Sequence, residues 1–374
     1  MATINTETQA VHYIDYQELL SLSNPNKTPI FSNLMAMGKR GTLTENDKVW
    51  EDYEVENTKT SLTADVTDIA TSMTVADSSI FKANCFAVID DELVKVTAMP
   101  TATTITVTRA QGGTTGAAHT TGAVLFLTSD GRAEGENFAS EQFKDGVEYS
   151  NKTQIFRTPI EMTGSALTQA VVGTGGKSNW EMEEEKKKAK HEAMIEKAIT
   201  HGVKTGGQTR TMGGLRTFLN NGQTVTCGAF TGNFYDKFTE LCRKIDDRGG
   251  DFISGNYALI ISPLLANKIS SALKDYVLNN TTGLTTLGQV ATALINDFGT
   301  VPLMISNNMR SSEAFLVNFD DVNLFFRVGE GEDRTMQYLD MGRVGDKKQA
   351  EWLSELTMTI NKLHLQGKLV GITY

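Results

Sequence analysis

The sequence predicts an α+β chain that carries a small all-β insertion. Three observations support this. Residues 178–203 have the charge pairing and capping of one long helix. Residues 61–128 lose helix formers almost entirely and are dominated by Thr, Ser, Val and Ala. Residues 231–332 alternate helix-spaced apolar residues with short apolar runs.

From the start, residues 1–44 are polar and mixed, with Asn24-Pro25 and Thr28-Pro29 interrupting regular structure, and they read as an extended arm. The short apolar patch Ile30, Phe31, Leu34 and Met35 suits docking on another surface. Residues 45–60 alternate apolar and polar around Val49, Trp50, Tyr53 and Val55, the period of an exposed strand. Within 61–128, short strands are expected near 73–75, 85–89, 93–97, 105–108 and 124–127. Asp90-Asp91 reads as a hairpin turn and Gln111-Gly112-Gly113 as a loop. Charge returns at DGRAEGENF. Residues 45–60 and 129–150 are therefore expected to pair as one antiparallel hairpin, with 61–128 as a lobe at its tip.

Residues 147–170 read as a further β segment. In 178–203, Ser178 and Glu181 form an S-x-x-E capping box, in which each side chain satisfies the other residue's backbone N–H. Glu183 with Lys187 and Glu184 with Lys188 are i,i+4 pairs in the favourable direction. Ala189, Ala193, Ile195, Ala198, Ile199 and Val203 give an apolar side to the second half alone, so the helix is expected to be exposed along its length and held from one side. Beyond it, Phe234, Phe238, Leu241, Cys242 and Ile245 share a helical face. Residues 258–261 read as a buried strand. Ser262-Pro263 then opens a helix bearing Leu265, Ile269 and Leu273. Residues 303–306 and 315–319 read as buried strands, followed by the run 323–328. Near the end, Leu356, Met358 and Ile360 alternate with Thr357, Thr359 and Asn361, the pattern of a half-buried antiparallel strand.

The chain of 374 residues is 40% hydrophobic and 21% charged, which is enough apolar material for a substantial core. Its net charge of −10 opposes tracking of a phosphate backbone, so sequence-specific nucleic-acid binding is not expected. Cys85, Cys227 and Cys242 are odd in number and unrelated in spacing, which argues against a disulfide framework and for a reducing cytosol. The opening MATINTETQA lacks the basic and apolar regions of a signal peptide. No run approaches about 18 consecutive apolar residues, so neither secretion by signal peptide nor a membrane span is expected.

The sharpest chemical motif is GTGGKS at 173–178. A phosphate-binding loop reads G-x-x-x-x-G-K-[ST], and Gly176, Lys177 and Ser178 fit it, but Val171 stands where the first glycine belongs. No apolar strand ending in Asp follows to hold Mg²⁺. A glycine-rich turn from Gly173 feeding a helix capped by Ser178 explains the same residues. His12, His119, His191, His201 and His364 make no metal-ligand spacing with one another or with a cysteine. Cys242 sits on an apolar helix face, as a small hydrophobe would. The pairs Asp90-Asp91, Asp246-Asp247 and Asp320-Asp321 suit turns and helix ends better than acid–base chemistry. The expectation is a chain with no enzymatic activity, no cofactor and no metal.

Four phrases resemble one branch of the major capsid proteins of tailed bacteriophages, which share the HK97-like fold. They are NKTQIFRTPIEMTGSAL at 151–167, MGGLRTFL at 212–219, DFGTVPLMISNNM at 297–309 and GDKKQAEWLSELTMTINKLHLQGKLVGI at 345–372. The resemblance implies an N-terminal arm at 1–44 and an E-loop hairpin at 45–150, with the β insertion 61–128 inside that loop. It implies a P-domain with a long spine helix at 151–213, an A-domain at 214–332, and closing P-domain strands at 333–374. The insertion departs from the minimal fold, although similar Thr-rich β inserts with a G-G-T-T phrase occur in phage structural proteins.

The function so implied is a major capsid protein that self-assembles into an icosahedral head shell around double-stranded DNA, located in the virion and synthesised in the host bacterial cytoplasm. The partners implied are many copies of the chain in hexamers and pentamers, a portal protein, a separate scaffolding protein and decoration proteins, with DNA enclosed but not read and no membrane involved. An encapsulin-like nanocompartment shell and a nucleotide-binding enzyme using 173–178 are the alternatives. Phe31, Leu34, Trp50 and Tyr53 are the candidate inter-subunit contacts, because apolar residues on an arm and a hairpin are expected to lack cover from their own body.

Overall fold

The computed structural model describes residues 28–53, 58–131, 146–168, 178–273, 293–329 and 332–374. It divides into two compact units, one of residues 1–52 with 147–374 and one of residues 53–146.

The larger unit begins with α1 (Pro29–Ala36), where Pro29 occupies the first turn and loses no helical hydrogen bond. Strand β1 (Arg40–Leu43) and strand β2 (Asp47–Asp52) follow. The extended arm expected for 1–44 is thereby corrected over residues 29–43. Ile30, Phe31 and Leu34 lie at helical spacing and insert together into the core of this unit. Residues 1–27 lie outside the described residues.

In the smaller unit, β3 (Lys59–Ser61), β4 (Ser72–Thr74), β5 (Cys85–Ile89), β6 (Glu92–Thr101), β7 (Thr104–Thr108) and β8 (Val124–Asp130) form one sheet in the order β3-β8-β5-β6-β7-β4. Asp90 and Asp91 make the two-residue turn between β5 and β6, and Asp90 adopts a φ of 48°. Asp tolerates that left-handed conformation, and such turns match the twist of a hairpin. Alternate residues of β5 and β6 point inward, so Cys85, Ala87, Ile89, Val94 and Val96 form the core with Met73, Phe81, Ile105 and Leu125.

The larger unit resumes with β9 (Val147–Lys152), which pairs antiparallel with β2 from Asp47↔Lys152 to Asp52↔Val147. After β10 (Gln154–Thr163) the chain turns into the short helix α2 (Gly164–Thr168), so the β segment expected through 170 stops at Thr163. Helix α3 (Asn179–His201) runs unbroken. The Ser178 hydroxyl accepts from the Glu181 N–H at 3.2 Å, and the Glu181 carboxylate accepts from the Ser178 N–H at 2.9 Å. Glu183 pairs with Lys187 at 3.5 Å, whereas Lys188 lies over the Trp352 ring at 5.7 Å. The first half of the helix is not merely a solvated face, which corrects the sequence reading. Trp180 and Met182 are buried, and Trp180 packs with Ile160 and Ala350 and donates its indole N–H to the Tyr338 hydroxyl at 3.2 Å.

Helix α4 (Leu215–Phe218) follows a close backbone crossing, in which Gly214 N–H donates to the Gly202 carbonyl at 2.9 Å. A Cβ on Gly202 or Gly214 would come within 2.5 Å of a backbone oxygen, so of the two glycines in MGGLRTFL it is Gly214 that is a steric requirement. Strand β11 (Gln223–Ala229), helix α5 (Phe230–Asp246), strand β12 (Tyr257–Ile261) and helix α6 (Pro263–Leu273) come next. Phe234, Phe238, Leu241, Cys242 and Ile245 on α5 face one core with Leu259, Ile261, Leu265 and Ile269. The last elements are β13 (Ala293–Asn296), β14 (Gly299–Ile305), β15 (Glu313–Asn318), β16 (Val322–Gly329), β17 (Glu332–Asp333), β18 (Gln337–Val344), β19 (Lys347–Ile360) and β20 (Gly367–Thr373).

These strands build two sheets. One has the order β1-β16-β19-β10, with β17 beside β16 and β18 beside β19. The other has the order β11-β20-β15-β12-β14-β13. The buried strand expected at 303–306 is corrected in part. Ser306 is buried, but Leu303 and Met304 are half-covered and Ile305 is exposed, because β14 lies near the margin of its sheet. The half-buried closing strand is also corrected. From Glu355 to Ile360 every residue of β19 is buried, Thr357 and Thr359 included, because β2 and β9 pack against it in addition to its sheet neighbours.

Replacing Ser178 with alanine removes the hydroxyl half of the capping box and is expected to lower stability by about 1 kcal/mol. Urea denaturation of the assembly-competent subunit measures it, and an unchanged midpoint would show that the cap contributes nothing.

Candidate subunit-contact surface

Of the four expected contact residues, Phe31 and Leu34 are buried within their own chain and Trp50 is half-buried against it. The N-terminus of α1 sits on α3. Glu196, fully buried, accepts from the backbone N–H of Phe31 at 2.8 Å and of Ile30 at 3.3 Å, and from the Ser306 hydroxyl at 3.2 Å. Burial raises the Glu196 carboxyl above its ordinary range against these hydrogen bonds. Helix α1 packs against α3, β14 and β16, and Phe31 and Leu34 belong to a buried cluster that also includes residues of α4, β15 and β19. Trp50 donates its indole N–H to the Ile360 carbonyl at 2.9 Å and lies 6.1 Å from the Tyr149 ring and 5.5 Å from the Phe218 ring. The reasoning that Phe31, Leu34 and Trp50 cannot bury against their own body is corrected. The alternation around Trp50 did mark one covered and one open face, but the covered face meets β19 of the same chain. Val49, on the other face of the β2–β9 ribbon, is 49% exposed. Tyr53, which begins the smaller unit, is 59% exposed.

The ribbon is locked at its base by polar contacts. Asp52 accepts from the backbone N–H groups of Lys362 at 2.9 Å and Leu363 at 2.7 Å. Asn151 donates to the carbonyls of Gly213 at 3.0 Å and Met358 at 2.8 Å. Beside them lies a cluster that the sequence reading missed. The buried Glu355 carboxylate meets Arg210 at 2.5 Å, Arg327 at 3.2 Å, Arg334 at 2.9 Å and the Thr153 hydroxyl at 3.0 Å. Burial works to raise the Glu355 carboxyl, but Arg210, Thr153 and Arg327 outweigh it and hold it below the ordinary range. Its members come from four distant stretches of sequence, so no local motif announces it. Charge-assisted contacts of this kind fix strands in register.

The residues weighed for chemistry sit in structural roles. His191 is fully buried, with Nδ1 2.9 Å from the Thr158 hydroxyl and Nε2 2.8 Å from the Ser354 hydroxyl. Burial lowers it to about 4, so the imidazole is neutral at pH 7. His201 donates Nε2–H to the Asn308 carbonyl at 2.7 Å. Burial pushes the Cys242 thiol up to about 12, which suits packing and not nucleophilic attack. Asp246 ends α5 and Asp247 caps it, while Asp320 and Asp321 lie in a 3-10 turn. Residues 169–177, with Val171, Gly173, Gly176 and Lys177, lie outside the described residues, as does His12. Among the described residues, no group of three or more His, Cys, Asp or Glu is placed to hold a metal ion, and no helix is long and apolar enough to cross a membrane.

The mixed helix-and-strand fold is shared with a solved phage capsid protein. The solved cyanophage A-1(L) capsid asymmetric unit aligns over 99% of this chain and 99% of its own, with a TM-score of 0.55 at 10% identity. A family model described as SU10 major capsid protein matches residues 2–373, and the chain belongs to that family. Its members are major capsid proteins, structural components of the virion shell. Structures from Mycobacterium phage Cain and Mycobacterium phage Bobi also align, each at 10% identity over 99% of this chain, covering 98% and 97% of theirs with TM-scores of 0.48 and 0.45. No curated protein matches the sequence.

Because neutral His191 is favoured in the folded state, its folded value lies below the ordinary unfolded value of about 6.5. Stability from this site is complete above pH ~6.5 and is lost as pH falls toward about 4. His191→Gln is expected to flatten that part of the stability–pH curve, read from urea midpoints between pH 7 and 4. An identical acid slope in the variant would remove His191 from the account.

Proposed function

We propose that this chain self-assembles in many copies, as hexamers and pentamers, into the icosahedral head shell of a tailed bacteriophage that encloses double-stranded DNA. The observation that carries the reading is the family match over residues 2–373 on a chain with a capsid-subunit fold. In this reading α3 is the spine helix of a P-domain spanning 151–213 and closed by 333–374. Residues 214–332, with the β11–β15 sheet, form the A-domain. The ribbon of β2 and β9 is the base of an E-loop at 45–150, and the β sheet within 61–128 is its insertion. The separation of residues 53–146 as a compact unit supports the insertion. The net charge of −10 suits a wall that holds DNA without binding it tightly.

The role is structural and not enzymatic. The burial of His191 and Cys242 favours that reading, since neither is presented to a substrate. A portal protein, a separate scaffolding protein and decoration proteins are the further partners, and synthesis takes place in the host bacterial cytoplasm. Inter-subunit contact falls to residues 1–27, which lie outside the described residues, and to the exposed Tyr53. Phe31, Leu34 and Trp50 instead shape the body that presents them. Many modest contacts per subunit favour correct closure, because misplaced subunits can dissociate before the shell locks.

Negative-stain microscopy of the purified protein, alone or with its scaffold, is expected to show uniform particles tens of nanometres across. A small oligomer that binds ATP, with binding lost in Lys177→Ala, would overturn the reading in favour of a nucleotide-binding enzyme. Deleting residues 1–27 is expected to leave the thermal unfolding of the subunit unchanged while abolishing or misdirecting particle formation. Deletion to residue 35 is not a fair test, because it removes Ile30, Phe31 and Leu34 from the core. Tyr53→Ala is expected to reduce particle yield without altering subunit melting. Normal particles from both variants would show that neither surface carries assembly.

A further inference from the structure

Within the smaller unit, three charged side chains are buried together where segment 109–121 closes over the start of β6. Glu92 is 1% exposed at its side chain, His119 2% and Arg109 8%. Glu92 is the hub. Its Oε1 accepts from Arg109 Nε at 2.7 Å and from the Ala110 N–H at 3.0 Å. Its Oε2 accepts from Arg109 Nη2 at 2.6 Å and from the Ala117 N–H at 3.1 Å. Arg109 also donates to the carbonyls of Thr67, Ala70 and Ala117. His119 completes the cluster, with Nε2 3.0 Å from Glu92 Oε2 and Nδ1 2.7 Å from Asp90 Oδ2. Its backbone pairs with Val66 in both directions.

Both ring nitrogens of His119 therefore face carboxylate oxygens, which only accept. A neutral imidazole has one N–H and one lone pair, so one of these contacts would set lone pair against lone pair. Only the imidazolium, with two N–H groups, satisfies both. In that form the cations Arg109 and His119 balance the anions Glu92 and Asp90. Burial alone would raise the Glu92 carboxyl, but Arg109, His119 and the Ala117 and Ala110 N–H groups outweigh it and bring it to about 2. Glu92 thus stays ionised across the neutral range. Two further acidic residues lie beside segment 109–121. Asp65 accepts from the Thr121 N–H at 2.6 Å and hydroxyl at 2.8 Å, and the Asp68 backbone abuts Gly116.

We propose that His119 is a proton-dependent clasp. As imidazolium it ties segment 109–121 to the β5–β6 hairpin through Asp90 and Glu92, and loss of one proton loosens that segment while the sheet persists. The sheet has its own core of Met73, Phe81, Ile89, Val94, Ile105 and Leu125, which does not include the clasp.

Hydrogen–deuterium exchange of the full chain, followed by mass spectrometry from pH 5.5 to 8.5 and corrected for intrinsic rates, tests this. Peptides covering 109–121 are expected to lose protection at least tenfold as pH rises, while peptides from β5 and β12 keep theirs. His119→Gln is expected to abolish the pH dependence. Asp90→Asn is expected to reduce it at least threefold, because the amide can donate to a neutral ring; Asp90 is largely exposed and Asn tolerates its left-handed turn conformation, so this variant serves if the first fails to fold. Constant protection in the wild type, or an undiminished pH dependence in either variant, overturns the proposal.

Discussion

The larger unit depends on one strand being hydrogen-bonded along both edges. Strand β19 pairs with β10 on one side, and with β18 and then β16 on the other, over a fourteen-residue run. It then ends at Ile360, passes a 3-10 turn at Leu363–Leu365, and becomes β20, an interior strand of the second sheet. The two sheets are thus joined by six residues of chain. The turn leaves solvent after Lys362, with Leu363–Leu365 and Gln366 buried, and a backbone donor carried inside must find an acceptor. Asp52 supplies one for Lys362 and Leu363, and the Asp321 carbonyl supplies another for Asn361. That requirement explains why the β2–β9 ribbon is held where it is.

Buried carboxylates recur at these joints. Asp52 holds the β19–β20 turn, Glu196 holds the start of α1, and Glu355 gathers three arginines over β19. Each takes a charged group out of water, which is costly unless its oxygens are well occupied. Each also spans a large sequence separation, so its effect is to specify which distant segments meet. Hydrophobic burial favours collapse but does not choose a register. The charged groups choose it, because the wrong register leaves an ion unpaired.

Local chemistry was legible in the sequence and distant chemistry was not. The capping box at Ser178 and Glu181, the Asp90-Asp91 turn, the apolar face of α5 and the Pro263 helix start all depend on residues within a few positions of one another. The readings that failed share a different cause. Phe31 and Leu34 read as unpartnered because the elements packed against α1 are α3, β14 and β16, all far along the chain. Thr357 and Thr359 looked solvent-facing because period two reports one apolar face and cannot foresee that a ribbon from residues 47–52 and 147–152 covers the other. Trp180 immediately precedes and Met182 lies within the charged run EMEEEKKKAKHE at 181–192, where two apolar residues do not make a periodic stripe. The phrases that resembled capsid proteins pointed to the family, which periodicity could not do. One glycine of these phrases, Gly214, has a steric explanation in its contact with Gly202.

The seating of α1 ties the first helix to the middle of the chain. Glu196 on α3 holds the backbone N–H groups of Ile30 and Phe31 across 166 and 165 positions, and β2 pairs with β9 residue for residue. Such contacts do not need the covalent chain between them once they have formed. A proteolytic nick within residues 53–146 would therefore leave the two pieces of the larger unit joined by packing and hydrogen bonds.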